Sequence, residues 1–364
     1  MIDHVELKDF KGHRHTRVPL GRLTLLVGDN ASGKTSVLDA LALLASMSPA
    51  PVSALIGEQS PGDLLRRGSA GPIVLATRGA AAGAASQLVV SIAQDKKPGS
   101  TEVIWNLRLQ GVFRGQGFGT QGSVTGAGGS SAGGWENIAL VLGTAKLYLL
   151  RADRIAAAAY SAEPEATVEV DGTNTAVALA AMKLGNDEAF DRVEQAMRKL
   201  IPSLQRIRIQ RALVSTGHQA VSGNKIVFDF RGAPGVPAHC ASHGTLVVLA
   251  LLTILHGPRR PNLILLDDLD HALHPRAQIE LIRMLKVLLE LPDFADVQIV
   301  ATTHSPYILD ELEPSQIHAF ALRDDGTVAT KPLSAHPDAS GTGAKLTSGQ
   351  LWSLDPERDW VLRE

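Results

Sequence analysis

Apolar positions along the chain fall into three patterns, and each predicts a different kind of element. Unbroken apolar runs occur at Leu23-Thr24-Leu25-Leu26-Val27, within Asn262–Asp268, and at Ile299-Val300-Ala301. Runs of this length, bounded by turn or charged residues, predict strands buried on both faces. Period-two alternation marks Ile73–Thr77, Gln87–Ala93 and Thr101–Leu109, the last with Val103, Trp105 and Leu107 on one face. No helical stretch separates these three, so they predict an antiparallel meander. Helical spacing marks Ser36–Met47, 174–184, 187–200 and Leu246–Leu255. In the third of these Phe190, Val193, Met197 and Leu200 share a face, and Pro202 ends it. Further strands are predicted at 205–213 and 224–230. Two hairpins complete the list: Val5–Phe10 with Arg14–Leu20 about Lys11-Gly12-His13, and Ile317–Leu322 with Val328–Pro332 about Asp324-Asp325-Gly326-Thr327. Residues 111–134, dense in Gly with Ser and Thr, predict a flexible loop.

Composition narrows the picture. The chain has 364 residues, 45% of them hydrophobic, ample for a large α/β body with an insertion or for two lobes. The net charge of −2 gives no bulk support for nucleic-acid binding. A local basic cluster, His13, Arg14, His15 and Arg17, reads either as a solvated strand face or as a contact to nucleotide or nucleic acid. A single cysteine, Cys240, leaves no disulfide within the chain and leads us to expect a cytoplasmic protein. The opening residues do not read as a signal peptide, and the longest apolar run, Leu246–Leu255, is too short to span a bilayer.

The chemistry starts at the end of the first apolar run. Gly28-Asp29-Asn30-Ala31-Ser32-Gly33-Lys34-Thr35 has the form G-x-x-x-x-G-K-[ST], and Ser36 opens an amphipathic helix. Strand, loop and helix in that order are the context a phosphate-binding loop needs. Its glycines let successive N–H groups turn inward toward phosphate oxygens, and the helix adds its positive end. Lys34 is then placed to reach the β/γ-phosphates and the Thr35 hydroxyl to ligate Mg²⁺. A plain Gly-rich turn is the alternative.

Two other run ends supply polar groups. The run within Asn262–Asp268 ends in two carboxylates: Asp267 in position to hold Mg²⁺, and Asp268 to orient an attacking water. A strand followed by a helix cap is the alternative reading. The run at Ile299–Thr303 ends in His304-Ser305-Pro306, where His304 is either structural or a γ-phosphate sensor. Ser242 and Gly244 begin the apolar helix Leu246–Leu255. They form either a simple N-cap or an anion site that closes on the phosphate of a second subunit.

Taken together, these motifs resemble the ABC-type ATPase heads of the RecF/SMC/OLD group, often described as AAA family ATPases. The resemblance rests on Leu7–Lys11 through Gly33–Ala40, on Ser242-His243-Gly244-Thr245, on Asp267-Asp268-Leu269-Asp270-His271-Ala272-Leu273-His274-Pro275, and on Thr303-His304-Ser305-Pro306. It covers 1–45 and 236–312, with weaker similarity in 146–213. The Leu273-His274-Pro275 and His304-Ser305-Pro306 forms look more like OLD-type heads than RecF. There is no heptad stretch for a coiled-coil arm, and the segment after His304 is too short for a TOPRIM domain. Two residues depart from the group: Asp268 stands where Glu is usual, and His243 where a small or acidic residue is commoner.

The resemblance implies a P-loop NTPase of α/β class: an ABC-type head with a mixed core sheet, an antiparallel β region and a helical insertion. The nucleotide lobe is expected from 1–50 and 236–335, the inserted region from 51–235, and a tail from 336–364. It implies hydrolysis of ATP with Mg²⁺, closure as a homodimer on ATP, and coupling to an effector protein or to DNA, in antiphage defence or genome maintenance. A RecF-like DNA-binding clamp and an ATP-binding scaffold with little turnover are the alternatives. No membrane association is expected.

Overall fold

The computed structural model describes residues 1–46, 61–81, 84–96, 103–113, 116–125, 128–129, 145–163, 165–216, 219–271, 273–340 and 346–363. The chain divides into two compact units. One comprises Met1–Leu147, Asn262–Leu269 and Leu289–Glu364, and the other comprises Tyr148–Pro261 and Asp270–Leu288.

In the first unit, β1 (Ile2–Phe10) and β2 (His13–Pro19) form the expected antiparallel hairpin, with Val5 opposite Val18 and Leu7 opposite Thr16. The next strand, β3 (Leu23–Gly28), leaves for a different sheet. β4 (Ile73–Ala81) returns to pair with β1, and β5 (Ala84–Lys96) and β6 (Val103–Phe113) extend the meander. Composition misleads at 111–134. Gln116–Thr125 is a strand, β7, paired with β6 from Phe113↔Gln116 to Ile104↔Thr125, and Gly128–Gly129 adds a short β8. Ladder bonds are made by backbone groups, so a Gly- and Ser-rich segment can still complete a sheet edge. Residues 114–115, 126–127 and 130–134 of that stretch, like Ile138–Leu142, lie outside the described residues.

The other sheet of this unit has the order β16-β15-β3-β14-β13-β9. Its further members are β9 (Ala145–Tyr148), β13 (Leu263–Leu266), β14 (Gln298–Thr302), β15 (Ile317–Leu322) and β16 (Val328–Pro332). β13, β14, β3 and β15 run parallel, while β16 is antiparallel to β15, so the sheet is mixed. Every residue of β3, β13 and β14 is buried, which is why these strands read as unbroken apolar runs. Register sets their ends level: Leu266 pairs with Ala301, Thr302 with Leu26, and Phe320 with Gly28. The three run ends singled out above thus share one edge of the sheet. β14 lies between β3 and β13, so the acidic strand end is two strands from the loop.

Helix α1 (Lys34–Ser46) follows β3 and buries Val37, Leu38, Leu41 and Leu44 in the core. The tail folds back on the same unit. The Gly349 N–H donates to Asp310 Oδ1 at 2.8 Å, and a Cβ on Gly349 would lie 2.2 Å from the Pro306 carbonyl oxygen. Trp360 is fully buried.

The second unit contains α2 (Thr175–Gly185), α3 (Asp187–Leu200), α4 (His243–Leu255) and most of α5 (Pro275–Glu290). It also holds the antiparallel strands β10 (Leu204–Thr216), β11 (Gln219–Phe230) and β12 (Ala233–Pro237). α3 shows why its sequence is helical. Asn186 caps it by accepting from the Ala189 N–H, Asp187 and Glu188 occupy the positive end, and Arg198 and Lys199 the negative end. Its apolar face, Phe190, Val193 and Met197, is buried. Among the described residues no helix is long and apolar enough to cross a membrane.

Gln298 ties the two sheets of the first unit together. Its Nε2 donates to the Ile2 and Gly21 carbonyls at 2.8 Å each, and its Oε1 accepts from the Ile2 N–H at 2.9 Å. Gln298→Leu keeps the volume and removes the partner of the buried Ile2 N–H and carbonyl and of the Gly21 carbonyl. Urea unfolding is expected to show a loss of about 2–4 kcal/mol, and an unchanged midpoint would refute this account of the sheet junction.

Candidate functional site

The loop after β3 is shaped by what surrounds its glycines. Gly28 has φ +139°, and a Cβ there would sit 2.3 Å from the Phe320 carbonyl oxygen. Gly33 has φ +100°, and a Cβ there would meet Val328 Cγ2 at 2.7 Å and His13 Nε2 at 2.9 Å. Neither position accepts a side chain. Asp29, Asn30 and Ala31 form an exposed crest, with Ala31 in the left-handed region at φ 63°. Ser32 and Lys34 are buried, and Ser36 is half-buried. Lys34 Nζ donates to the Gly28 and Asp29 carbonyls at 2.8 Å each. Burial pushes the Lys34 ammonium below its ordinary pKa, opposed first by Asp268, then by Asp267 and Glu357.

The acidic strand end faces this loop. Thr35 Oγ1 donates to Asp267, 3.2 Å from Oδ1 and 3.3 Å from Oδ2. Thr302, from the intervening β14, donates its hydroxyl to Asp267 Oδ1 at 2.6 Å and accepts from the Asp268 N–H at 2.8 Å. The Thr302 carbonyl accepts from the Leu269 N–H at 2.9 Å. Asp268 is exposed and sits in the left-handed region at φ 50°, which an aspartate tolerates better than most residues. Converging hydroxyl and carboxylate oxygens are the donor set of a hard divalent cation, so Thr35 and Asp267 fit Mg²⁺. His304 lies two residues beyond the end of β14, half-buried, in a turn where Thr303 Oγ1 accepts from the Ser305 N–H at 3.1 Å.

Three residues here escaped the sequence reading. Thr302 was visible only as a hydroxyl ending an apolar run. Glu357 stands on the C-terminal helix α7 (Glu357–Val361, after α6 at Ser348–Leu354), buried, accepting from Trp352 Nε1 at 2.7 Å. No local motif marks it. The sequence groups His13 with the basic cluster, and the structure separates it. Arg14, His15 and Arg17 are exposed, with His15 paired to Glu6 at 2.6 Å. His13 is fully buried, its Nε2 3.2 Å from the Gly33 carbonyl and its Nδ1 2.9 Å from Thr16 Oγ1.

In the second unit, Ser242 caps α4: its Oγ accepts from the Thr245 N–H at 3.2 Å. A Cβ on Gly244 would lie 3.0 Å from Ala277 Cβ, so close helix packing asks for glycine here. The start of α4 borders a groove of about 360 Å³ whose walls include Ile201, Val248, Leu281, His274 and Arg276.

Elsewhere in the first unit, His336, Asp338 and Asp355 bring ligand-type atoms within 4.8 Å of one another. The Asp338 N–H donates to His336 Nδ1 at 3.2 Å. The neutral ring therefore carries its proton on Nε2, facing Asp355 at 3.8 Å, and offers a cation an N–H rather than a lone pair.

Residues 1–96 match a family model described as "AAA ATPase domain", and residues 137–310 match one described as "AAA domain, putative AbiEii toxin, Type IV TA system". The chain thus carries AAA-family ATPase domains. A solved SMC head bound to the C-terminal winged-helix domain of ScpA aligns with 92% of this chain and 98% of its own, at a TM-score of 0.54 and 15% identity. An SMC head with an extended coiled coil, bound to the C-terminal domain of ScpA derived from Pyrococcus furiosus, aligns over 92% of this chain and 96% of its own, at 0.48 and 13%. The first likeness places the fold among P-loop NTPase heads. The Septu protein PtuA of Bacillus thuringiensis is 35% identical over 71 residues, which span 20% of this chain and 17% of that relative.

Two buried histidines make stability pH-dependent. Burial lowers His13 and His318 from the ordinary 6.5 to about 4 each, against the raising effect of their backbone partners Gly33 and Pro19. The unfolded chain takes up these protons first, so the contribution is complete above about pH 6.5 and is lost as pH falls toward 4. Each histidine accounts for up to about 3 kcal/mol at about 1.4 kcal/mol per unit. Urea unfolding at pH 7.5 and 5 is expected to show this loss, and His13→Gln to flatten the slope. Equal stability at both pH values would contradict it.

Proposed function

We propose that this chain is an ABC-type ATPase that binds ATP on the Gly28–Ser36 loop, hydrolyses it to ADP and phosphate, and closes as a homodimer while ATP is bound. The observation that carries the reading is the convergence of Thr35, Asp267 and Thr302 beside a buried Lys34. An ammonium has three N–H donors. Two of those on Lys34 hold the loop, and the third is available to a β/γ-phosphate oxygen. Backbone N–H groups of Gly33, Lys34, Thr35 and Ser36 open α1 and favour anionic oxygen. Thr35 and Asp267 would hold Mg²⁺, which supplies charge neutralisation on the phosphates when bound. Asp268 orients the attacking water, and His304 contacts the γ-phosphate. In a dimer, Ser242 and Gly244 at the positive end of α4 face the partner's nucleotide.

The output is coupled to an effector protein or to DNA. The stretch shared with the Septu protein PtuA supports antiphage defence over genome maintenance. A second reading, an ATP-binding scaffold with little turnover, is favoured by one observation: Asp268 is one methylene shorter than the usual Glu.

Measured phosphate release decides between the two. Lys34→Ala is expected to abolish ATP binding and turnover. Asp268→Asn should retain ATP and dimerise while kcat falls by about 10²-fold or more. Normal hydrolysis by Lys34→Ala sinks the site assignment, and no phosphate release by the wild type favours the scaffold. Thr302→Val, nearly isosteric, releases both acidic residues from one anchor. It is expected to lower kcat about tenfold and stability by about 1–3 kcal/mol, read by turnover and thermal melting.

A further inference from the structure

We infer that His13 is a positioning residue for nucleotide: its ring pins the Gly33 carbonyl into the floor of the loop and thereby aims the Lys34 N–H at phosphate. This rests on the ATP reading above. Gly33 O can only accept, so the nitrogen 3.2 Å away, His13 Nε2, carries a proton. Nδ1 of the neutral ring is then an acceptor, and the Thr16 hydroxyl at 2.9 Å supplies the donor. Thr16 is buried on β2, and its rotatable hydroxyl suits the tautomer that the Gly33 carbonyl selects. The ring packs T-shaped against Phe320, centroids 6.5 Å apart at 81°.

The link to phosphate is the geometry of a peptide. In a planar trans unit the C=O and the following N–H point in opposite directions. With Gly33 O turned down onto His13, the Lys34 N–H is turned up, away from the floor and toward the concave side of the loop. Gly33 has little intrinsic resistance to another orientation, because glycine at φ +100° belongs to a permissive region. Gly33 precedes α1, so its carbonyl also accepts the first helical bond, and without the His13 N–H only that bond opposes a turn of the carbonyl toward the phosphates, where oxygen would face oxygen. Val328 Cγ2 lies beside His13 on the same face of Gly33, so the floor pairs an apolar contact with a hydrogen-bonding one. Only the second is directional.

The test compares replacements that keep or remove the donor. His13→Gln places an amide N–H near the position of Nε2. His13→Leu and His13→Met fill the space without a donor. Binding of a fluorescent ATP analogue, kcat, KM and the melting midpoint are measured for each with Mg²⁺ present. His13→Gln is expected to stay within about threefold of wild type in KM, and the folded donor-less variant to lose about tenfold or more. A donor-less variant that melts and binds like wild type overturns the inference. So does a His13→Gln that binds as weakly as His13→Leu at equal melting temperature. If neither donor-less variant folds, ring ¹H–¹⁵N spectra of the wild-type protein decide: an Nε2–H tautomer supports the inference and an Nδ1–H tautomer overturns it. Lys34→Ala is run alongside. Failure of the wild type to bind ATP would sink the site reading itself. Wild-type binding that is lost in Lys34→Ala and intact in His13→Leu would sink only the role of His13.

Discussion

The Thr302 hydroxyl, giving its proton to Asp267 and accepting the Asp268 amide, converts a sheet edge into a site. It works because register brings the ends of β3, β14 and β13 level, with β14 in the middle. A group on the middle strand reaches the acids on one side, while the loop grows from the strand on the other. Asp267 is then oriented toward Thr35, and Asp268 is bent out of the strand into the left-handed region. A carboxylate fixed by a buried donor keeps one geometry, which a metal or a water-orienting role requires.

The Gly28–Ser36 loop depends equally on what lies under it. Phe320 from β15, Val328 from β16 and His13 from β2 crowd Gly28 and Gly33 so closely that only backbone fits. The two hairpins thus serve the loop, one directly before β3 in the chain and the other near its C-terminal end. The tail joins the same arrangement: Gly349 packs on the turn that follows His304, and Glu357 contributes negative charge toward Lys34. One buried ammonium is balanced by four carboxylates from three separate parts of the sequence, Asp29, Asp267 with Asp268, and Glu357.

Much of this was legible in the chain, for identifiable reasons. Residues with a strong local signature were readable: the glycines and Lys34 of the loop, the doubled carboxylate at 267–268, the Ser242 cap and the apolar strands. Period, capping and turn chemistry act over a few residues and survive in sequence. Other features were not legible. The Gly-rich segment at 116–125 pairs as a strand because backbone bonds ignore side-chain identity. His13 left its basic cluster because strand geometry turned it inward while its charged neighbours faced water. Glu357 carries no motif, and its relation to Lys34 exists only once the tail has docked.

The sequence by itself determined the element types, the Gly-rich loop after β3, and the pair of acids at the end of β13 that faces it. Hydrophobic period and backbone-permissive glycines are local causes, and they leave local marks. Only the tertiary structure decided strand order, the insertion of β14 between loop and acids, the floor beneath Gly33, and which histidine is buried. Those outcomes depend on parallel pairing and packing between segments up to about 300 residues apart, as with Ile2 and Gln298. No short-range pattern encodes such pairings, because their free energy comes from surfaces that meet only in the folded chain.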